Sequence, residues 1–207
     1  MGAHGWLGIL LAGALAASAP FPPDHRTLDR LVTHAELVAF LDSVRRPGVV
    51  DVTVEGTSAG GRPIHLVHLR RPGGSARHRI LFYAQQHGNE SSGKEALLYL
   101  VRKLAEHPEQ LPLDVDLWVL PSLNPDGLVA YRRTNEAGAD LNRDHLLLTQ
   151  PETQLLHRLA RRILPHVAVD LHEYSTDHED FGRLGWREWA AIKSDAMNHP
   201  LMPQALR

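Results

Sequence analysis

Three short apolar runs constrain the fold of this chain more than any other feature. They cover residues 79–84, 113–120 and 166–171, and segments with helical spacing of apolar residues separate each run from the next. Strands that alternate with helices form largely parallel sheets, because each helix returns the chain to the edge at which the next strand starts. The pattern therefore predicts an α/β domain with a mixed, mostly parallel central sheet and helices on both faces.

The N-terminal half adds a helix and a hairpin to this sheet. Thr33 and Glu36 have capping-box spacing ahead of an apolar helical pattern. Residues 49–55 and 63–69 have strand-like composition, and the glycines between them favour a turn, so we expect an antiparallel hairpin. Alternation in the first of these strands places Val54 on its buried side.

The composition is that of one globular domain. The 207 residues suffice for a single sizeable core. We expect residues 20–48 to form an N-terminal helical segment and residues 49–207 to form the domain, with a last helix over 185–198. The formal net charge of −2 gives no electrostatic footprint for nucleic acid, so no nucleic-acid partner is expected. The absence of cysteine restricts a tightly bound transition metal to histidine and carboxylate ligands.

Residues 6–17 form an apolar run that is short for a membrane span and matches the core of a signal peptide. Small residues follow it, so residues 1–19 are predicted to be a signal peptide and the protein to be exported, either to a periplasm or out of the cell. The alternative is an uncleaved N-terminal anchor, because the first five residues contain no lysine or arginine. After cleavage, no stable membrane association is expected.

His87 and Glu90 come directly after the apolar run at 79–84, where the chain leaves a predicted strand. Most such pairs are ordinary surface residues. His172 ends the run at 166–171, and a single histidine there is usually a hydrogen-bonded polar group. The carboxyl ends of parallel strands meet at one edge of a sheet, however, so these three side chains can converge on one metal ion.

Two histidines and one glutamate leave the fourth position of a zinc ion open, which is typical of a catalytic rather than a structural site. Zinc in such a site acidifies a water molecule and polarises a carbonyl group. Asp170 lies two residues before His172 and so shares its side of the strand. It is either a carboxylate partner of that histidine or a strand-end cap.

A polar loop over 122–144 follows the second apolar run, and loops of this length in compact domains are usually functional. Residues 123–127 predict a turn within it. Arginines in polar loops are commonly solvated, but Arg132, Arg133 and Arg143 could also bind a carboxylate or steady an oxyanion beside a metal.

Four motifs in the order HGNESSG, LNPDG, RTNEAGADLNRD and VDLHEYS resemble the zinc metallocarboxypeptidases related to carboxypeptidase A. The resemblance covers about residues 50–175. It implies a carboxypeptidase-like fold, one Zn²⁺ ion, and hydrolysis of C-terminal peptide bonds by a metal-activated water. It also implies that His87, Glu90 and His172 are the zinc ligands. The implied substrate is a peptide or an acyl amino acid with a free C-terminal carboxylate.

The same resemblance implies roles for residues of the polar loop. Asn142 and Arg143 would bind the terminal carboxylate of the substrate. Arg133 would polarise the scissile carbonyl, with Arg132 as the alternative. Asp140 would be the carboxylate partner of His87.

The sequence departs from the family pattern after His172. The general base of the family is a glutamate on a later strand, and no position here matches it, so the domain is expected to be incomplete at its C-terminus. Glu173 is expected to face away from the metal, and no base is assigned. Two alternatives stay open: a deacylase or cell-wall peptide amidase with the same zinc site, and an inactive zinc-binding fragment or pseudoenzyme that lacks the base.

Overall fold

The computed structural model describes residues 30–173 of the chain. The predicted signal peptide over 1–19 and the predicted last helix over 185–198 lie outside these residues. The helices and strands, with 3₁₀ turns at Pro108–Gln110 and Leu141–Arg143, are α1 (His34–Ser43), β1 (Val50–Thr57), β2 (Pro63–Arg70), β3 (His78–Ala84), α2 (Ser92–Glu106), β4 (Val115–Leu120), α3 (Pro125–Ala130), α4 (Pro151–Ile163) and β5 (Val167–Leu171).

The strands form one mixed sheet in the order β1-β2-β4-β3-β5. The pairs β1–β2 and β2–β4 are antiparallel, whereas β3 lies parallel to both β4 and β5. The predicted hairpin and the predicted parallel part are therefore both present. Because the chain leaves β3 in one direction to reach β4 and crosses back to reach β5, the connections reverse at β3. Ligands of α/β sheets bind at the carboxyl ends of strands near such a reversal.

Helices cover both faces of the sheet, as predicted. On one face α1 and α2 pack through buried residues such as Leu37, Leu98 and Val101. On the other face α4 packs through Leu155 and Leu159. Full burial of each of these side chains contributes roughly 1.5–3 kcal/mol, so the two layers hold the sheet and its loop-bearing edge in a fixed arrangement.

The start of α1 is fixed both locally and by α2. The capping box at Thr33 is confirmed: its Oγ1 accepts the N–H of Glu36, and Glu36 accepts the N–H of Thr33 at 2.9 Å. The fully buried Lys94 of α2 donates to the carbonyl of Val32 at 2.5 Å, and Glu95 accepts the N–H of Val32 at 2.9 Å. The N–H and the carbonyl of Val32, just before α1, are thus both hydrogen-bonded to side chains of α2.

The polar loop over 122–144 is more regular than predicted, and the prediction of a simple turn at 123–127 is wrong. Asn124 caps a short helix, because its Oδ1 accepts the N–H of Gly127 at 2.8 Å. Pro125 occupies the first helical position, where a missing N–H has no cost. Residues typical of a turn therefore start α3.

Two strands differ from the prediction in burial. An apolar run such as 166–171 is typical of a buried strand, but Val167 in β5 is 51% exposed, and within residues 30–173 this strand pairs with β3 alone. In β1, Val54 is 55% exposed rather than buried. The register of β1 against β2 shifts between Val54 and Gly56, and such a bulge interrupts the alternation of faces. Glu55 is instead half-buried and forms an ion pair with Arg162 at 2.9 Å.

Candidate metal centre

The loop after β3 holds the first two candidate ligands on a tightly packed backbone. Gln85 has a left-handed conformation with a φ of 54°, which turns the chain away from the strand. Gly88 lets this loop lie directly on α3, since a Cβ at that position would stand 2.0 Å from the carbonyl carbon of Gly127. His87 is buried and Glu90 half-buried, so both side chains leave a backbone with little freedom to move.

The end of β5 brings the third candidate beside them. The parallel register pairs Ala84 at the end of β3 with Leu171 at the end of β5. His172 therefore leaves the same edge of the sheet as His87, and their ring centroids lie 4.8 Å apart. The predicted convergence of strand-end side chains is present.

His87, Glu90 and His172, here called the metal group, offer the donor atoms of a metal site. Nδ1 of His87 lies 2.6 Å from Oε1 of Glu90, and Nδ1 of His172 lies 2.7 Å from Oε2 of the same carboxylate. One ligand atom from each residue lies within 4.8 Å of the others. Imidazole nitrogen and carboxylate oxygen are common zinc ligands, so the group fits a zinc ion.

A carboxylate lies behind each histidine. Nε2 of His87 is 3.1 Å from Oδ1 of Asp140, and Nε2 of His172 is 3.0 Å from Oδ2 of Asp170. An ionised carboxylate only accepts hydrogen bonds, so each Nε2 keeps its proton and Nδ1 is the atom left to bind a cation. Metal-binding histidines usually have such a partner, so these contacts favour the partner role for Asp170 over a strand-end cap.

The carboxylates stabilise positive charge at this edge of the sheet. Hydrogen bonds to Asp170 and Glu90 raise the pKa of His172 to about 9. Burial acts to raise the pKa of Glu90, but hydrogen bonds from His172 and His87 outweigh it and lower this pKa to about 2. These carboxylates therefore favour a cation bound among the three side chains of the metal group.

Of the two candidate arginines, Arg133 faces the metal group. Its Nε donates to Oδ2 of Asp140 at 2.9 Å, and its Nη1 lies 3.6 Å from Oε1 of Glu90. Arg132 donates instead to the carbonyls of Thr134 at 3.3 Å and Asn135 at 2.7 Å. The geometry favours Arg133 as the arginine beside the metal group.

Asn142 and Arg143 lie on the 3₁₀ turn that follows Asp140. Oδ1 of Asp140 accepts the N–H of Asn142 at 3.0 Å, and Nη1 of the exposed Arg143 donates to the carbonyl of Asn142 at 3.2 Å. Within residues 30–173, no described hydrogen bond joins these two side chains to the metal group. Asp140 is the link, because it also contacts His87.

Glu173 has a role that the sequence did not reveal. Its Oε2 accepts the N–H of Ser92 at 3.0 Å, and its own N–H donates to Oε2 of Glu90 at 3.0 Å. Ser91, which precedes α2, makes no side-chain capping bond. The carboxylate of Glu173 therefore caps α2.

A second polar cluster fixes the loops around the metal group, and the sequence pattern missed it. Asp126 is buried at 1% exposure. Its carboxylate accepts hydrogen bonds at 2.6–2.8 Å from three residues of the β1–β2 turn, namely Ser58, Gly60 and Arg62. Its place in the motif LNPDG is the one signal of this cluster in the sequence.

Glu152, at the start of α4, is the other acceptor of this cluster. It is fully buried and accepts the N–H of Ala59 at 2.9 Å and the side-chain amide of Asn135 at 3.2 Å. We call Asp126 and Glu152, with their donors, the hairpin anchor. It joins the β1–β2 turn to α3, to α4 and to the loop that carries Arg133.

A comparison with known protein families identifies the chain. Residues 37–151 match the family model described as zinc carboxypeptidase. The chain belongs to this family. Membership implies a zinc ion, and the metal group provides a set of side chains that fits one.

Among residues 30–173, none of the helices has the length and hydrophobicity that a membrane span requires.

Individual zinc carboxypeptidases are similar to this chain in sequence and in fold. A probable carboxypeptidase 2 from Trichophyton verrucosum is 35% identical over 104 residues, which are 49% of this chain and 20% of that protein. A metallo-carboxypeptidase from Burkholderia cenocepacia superimposes with a TM-score of 0.64 at 26% identity, over 70% of this chain and 42% of that one.

A third relative is the metallo-carboxypeptidase from Pseudomonas aeruginosa, solved in complex with (2-guanidinoethylmercapto)succinic acid. It superimposes with a TM-score of 0.59 at 28% identity, over 70% of this chain and 40% of that one. The chain thus spans a fifth of the fungal relative and about two fifths of the bacterial structures that it matches.

Proposed function

We propose that this chain carries the zinc site of a metallocarboxypeptidase that hydrolyses C-terminal peptide bonds. The observation that carries the proposal is the metal group, in which two Nδ1 atoms lie within 2.7 Å of one glutamate and a carboxylate lies behind each ring. A zinc ion held by three protein ligands would act as a Lewis acid and lower the pKa of a water molecule to about 7.

The ligands in this proposal are His87, Glu90 and His172. Asp140 and Asp170 would orient the two imidazoles by holding the proton on each Nε2. Three protein ligands would leave the fourth position of a zinc ion to substrate and water. Imidazoles that are fixed in this way bind the ion without having to reorganise.

Arg133 is proposed to stabilise negative charge on the scissile carbonyl oxygen. Its contact with Asp140 holds the guanidinium near Glu90, at the side of the metal group. Removal of one such fixed donor typically lowers kcat by about 10²–10³. Arg132 is not proposed for this role, because its guanidinium is bound to backbone carbonyls of its own loop.

Asn142 and Arg143 are proposed to bind the free carboxylate of the substrate. Arginine binds carboxylates in a bidentate manner, and the exposed position of Arg143 leaves its guanidinium accessible. The compound in the Pseudomonas aeruginosa structure, (2-guanidinoethylmercapto)succinic acid, is a dicarboxylic acid. That compound supports a substrate with a terminal carboxylate and provides a probe for this clamp.

The metal site is tested by zinc content after dialysis, measured by atomic absorption on the 207-residue chain. We expect one zinc ion per chain, and loss of that ion in His87→Ala and in His172→Ala. His107→Ala, at an exposed histidine outside the metal group, is the control and keeps the ion. Retention of zinc by both of the first two variants would show that the ligand assignment is wrong.

The reaction is tested with a blocked dipeptide that has a free C-terminus, compared with the same dipeptide as its amide. The proposal predicts hydrolysis of the free acid alone, and a raised KM for the free acid in Arg143→Gln. Equal rates on acid and amide would rule out the carboxylate clamp. Zinc binding without hydrolysis of either compound would favour the non-catalytic alternative.

A further inference from the structure

A buried amide connects the metal group to the loop that follows the 3₁₀ turn. Gln86 is 1% exposed. Its Nε2 donates to Oδ2 of Asp170 at 2.5 Å, and its Oε1 lies 2.7 Å from Nε2 of His145. Asp170 in turn contacts His172 at 3.0 Å. Gln86 thus hydrogen-bonds to the carboxylate that contacts the proposed zinc ligand His172.

The chemistry of its neighbours leaves one orientation for this amide. The carboxylate of Asp170 only accepts, so the amide of Gln86 presents its NH₂ group to it. The amide oxygen then accepts from His145, which must carry its proton on Nε2. Nδ1 of His145 is left as the acceptor for Nε2 of His157, at 3.1 Å. Each polar atom of this network therefore has one role, either donor or acceptor. A fully paired network of this kind holds its side chains in place.

Asp170 depends on Gln86 because one of its two carboxylate oxygens makes its hydrogen bonds. Its Oδ1 is buried and has no hydrogen-bond partner among residues 30–173. Its Oδ2 receives both the amide N–H of Gln86 and the imidazole of His172. Without the amide, His172 would be the one remaining hydrogen-bond partner of this carboxylate in the described part of the chain, and rotation of the carboxylate would break its hydrogen bond to Nε2 of His172.

We propose that Gln86 is a positioning residue for zinc binding, and that His145 sets the direction of its amide. Gln86 holds Asp170 in the place where His172 keeps its proton on Nε2 and presents Nδ1 to the ion. The proposal rests on the zinc site proposed above and extends it by one layer of residues. It also ties the metal ligand to the loop just after Asn142 and Arg143.

The test is the zinc affinity of the full chain, measured by competition with a chromogenic chelator. Gln86→Met keeps the volume and the unbranched shape but removes both hydrogen bonds, and we expect a rise in Kd of about 10- to 100-fold, the range for partners of metal ligands. The control is Gln154→Met, the same substitution at a residue of α4. The amide of Gln154 donates to the carbonyl of Leu148 at 2.7 Å and has no hydrogen bond to the metal group or to Asp170 among those described. The Kd of this control should stay within about threefold, below that range.

A second pair of variants addresses the half-buried His145. His145→Gln keeps an N–H donor for the amide oxygen, whereas His145→Leu removes it. We expect the Kd of His145→Leu to rise about tenfold and that of His145→Gln to remain close to the unsubstituted value. The absorption spectrum of the cobalt-substituted chain should shift in Gln86→Met and in His145→Leu, because it reports ligand geometry and not stability.

Each outcome bears on one of the two proposals. If the unsubstituted chain binds no zinc, the zinc site itself is wrong and this proposal falls with it. If the chain binds zinc but Gln86→Met has an unchanged Kd, or Gln154→Met weakens binding equally, then the site stands and the role of Gln86 is overturned. If Gln86→Met fails to fold, equal affinities of His145→Leu and His145→Gln overturn the proposal.

Discussion

Glu90 and Asp126 are both ion-paired carboxylates, the first in the loop after β3 and the second in the first turn of α3, but their surroundings differ in kind. Asp126 is surrounded by donors that cannot give up their role: a backbone N–H, a hydroxyl and a guanidinium. Glu90 faces two imidazole nitrogens, each of which can bind a metal ion. A carboxylate with permanent donors holds a fold together, and one with exchangeable donors is available to a cation.

The metal group and the hairpin anchor meet at Gly88, where the loop after β3 packs on α3. We expect the largest effect on stability from a substitution at this glycine. In Gly88→Ala, the new methyl group would overlap the backbone of Gly127, which lies 2.0 Å from the Cβ position. We expect a loss of about 3 kcal/mol or more in the free energy of unfolding, at the upper end for overpacking, and weaker zinc binding as well. Urea unfolding and zinc competition measure the two effects.

The control for this variant is Gly48→Ala, at a glycine with a φ of 79° and no atom within 4 Å. It should lose only about 1–2 kcal/mol, the cost of a left-handed backbone for a residue with a Cβ, and should leave zinc affinity unchanged. If Gly88→Ala loses stability but binds zinc normally, the two regions are independent.

Glu90→Gln separates the metal group from the hairpin anchor. The amide keeps the shape but loses the charge and one of the acceptor oxygens, so we expect zinc affinity to fall by more than about 100-fold, beyond the range for residues behind the ligands. The zinc-free chain should remain folded by circular dichroism. A modest fall, of the size expected for Gln86→Met, would mean that Glu90 is not itself a ligand.

Asp126→Asn is the reverse case. Hydrogen bonds to charged groups contribute about 1.5–3 kcal/mol each, and the amide keeps some of them, so we expect a loss of about 2 kcal/mol in the free energy of unfolding. Zinc affinity should change little. A large loss of zinc affinity without a loss of stability would contradict the contrast drawn between the two carboxylates.

The same variant has a defined pH dependence. Burial acts to raise the pKa of Asp126, but hydrogen bonds from Gly60 and Arg62 outweigh it and lower this pKa. Because the pKa is lower in the folded state, the charged group stabilises the fold above the unfolded value of about 3.9. That contribution is lost as the pH falls through the folded pKa. The stability difference between the unsubstituted chain and Asp126→Asn should therefore be largest near neutral pH and shrink below about pH 4.

The smallest effect is expected at Thr33, which lies outside both regions. Thr33→Ala removes the capping-box acceptor of α1 and should cost about 1 kcal/mol in the free energy of unfolding. Zinc affinity should not change. This variant sets the baseline for a purely local loss, measured by the same urea unfolding.

The parts of the structure that follow from local pattern were predictable from the sequence. Periodicity located the strands, the capping box located α1, and the position of His87 and His172 after two apolar runs placed both at one edge of the sheet. The helix α3 was missed, because Asn124 and Pro125 serve a helix start as well as a turn.

The residues that support the site were not predictable in the same way. Asp126 and Glu152 meet partners up to 93 residues away in the sequence, and no local pattern records such a contact. The path through Gln86 joins residues that are 59 and 84 positions apart. Burial of polar side chains depends on the tertiary arrangement, whereas burial of apolar side chains leaves a periodic signal in the chain.

The pairing of Ala84 with Leu171 has a consequence for how the chain folds. Glu90 and His172 are 82 residues apart in the sequence, so their contact is of the non-local kind that slows folding. A slip of β5 by one residue would turn His172 to the opposite face of the sheet. An ion that needs both side chains at once therefore selects the correct register. We expect zinc to slow amide hydrogen exchange in β5 far more than in α1.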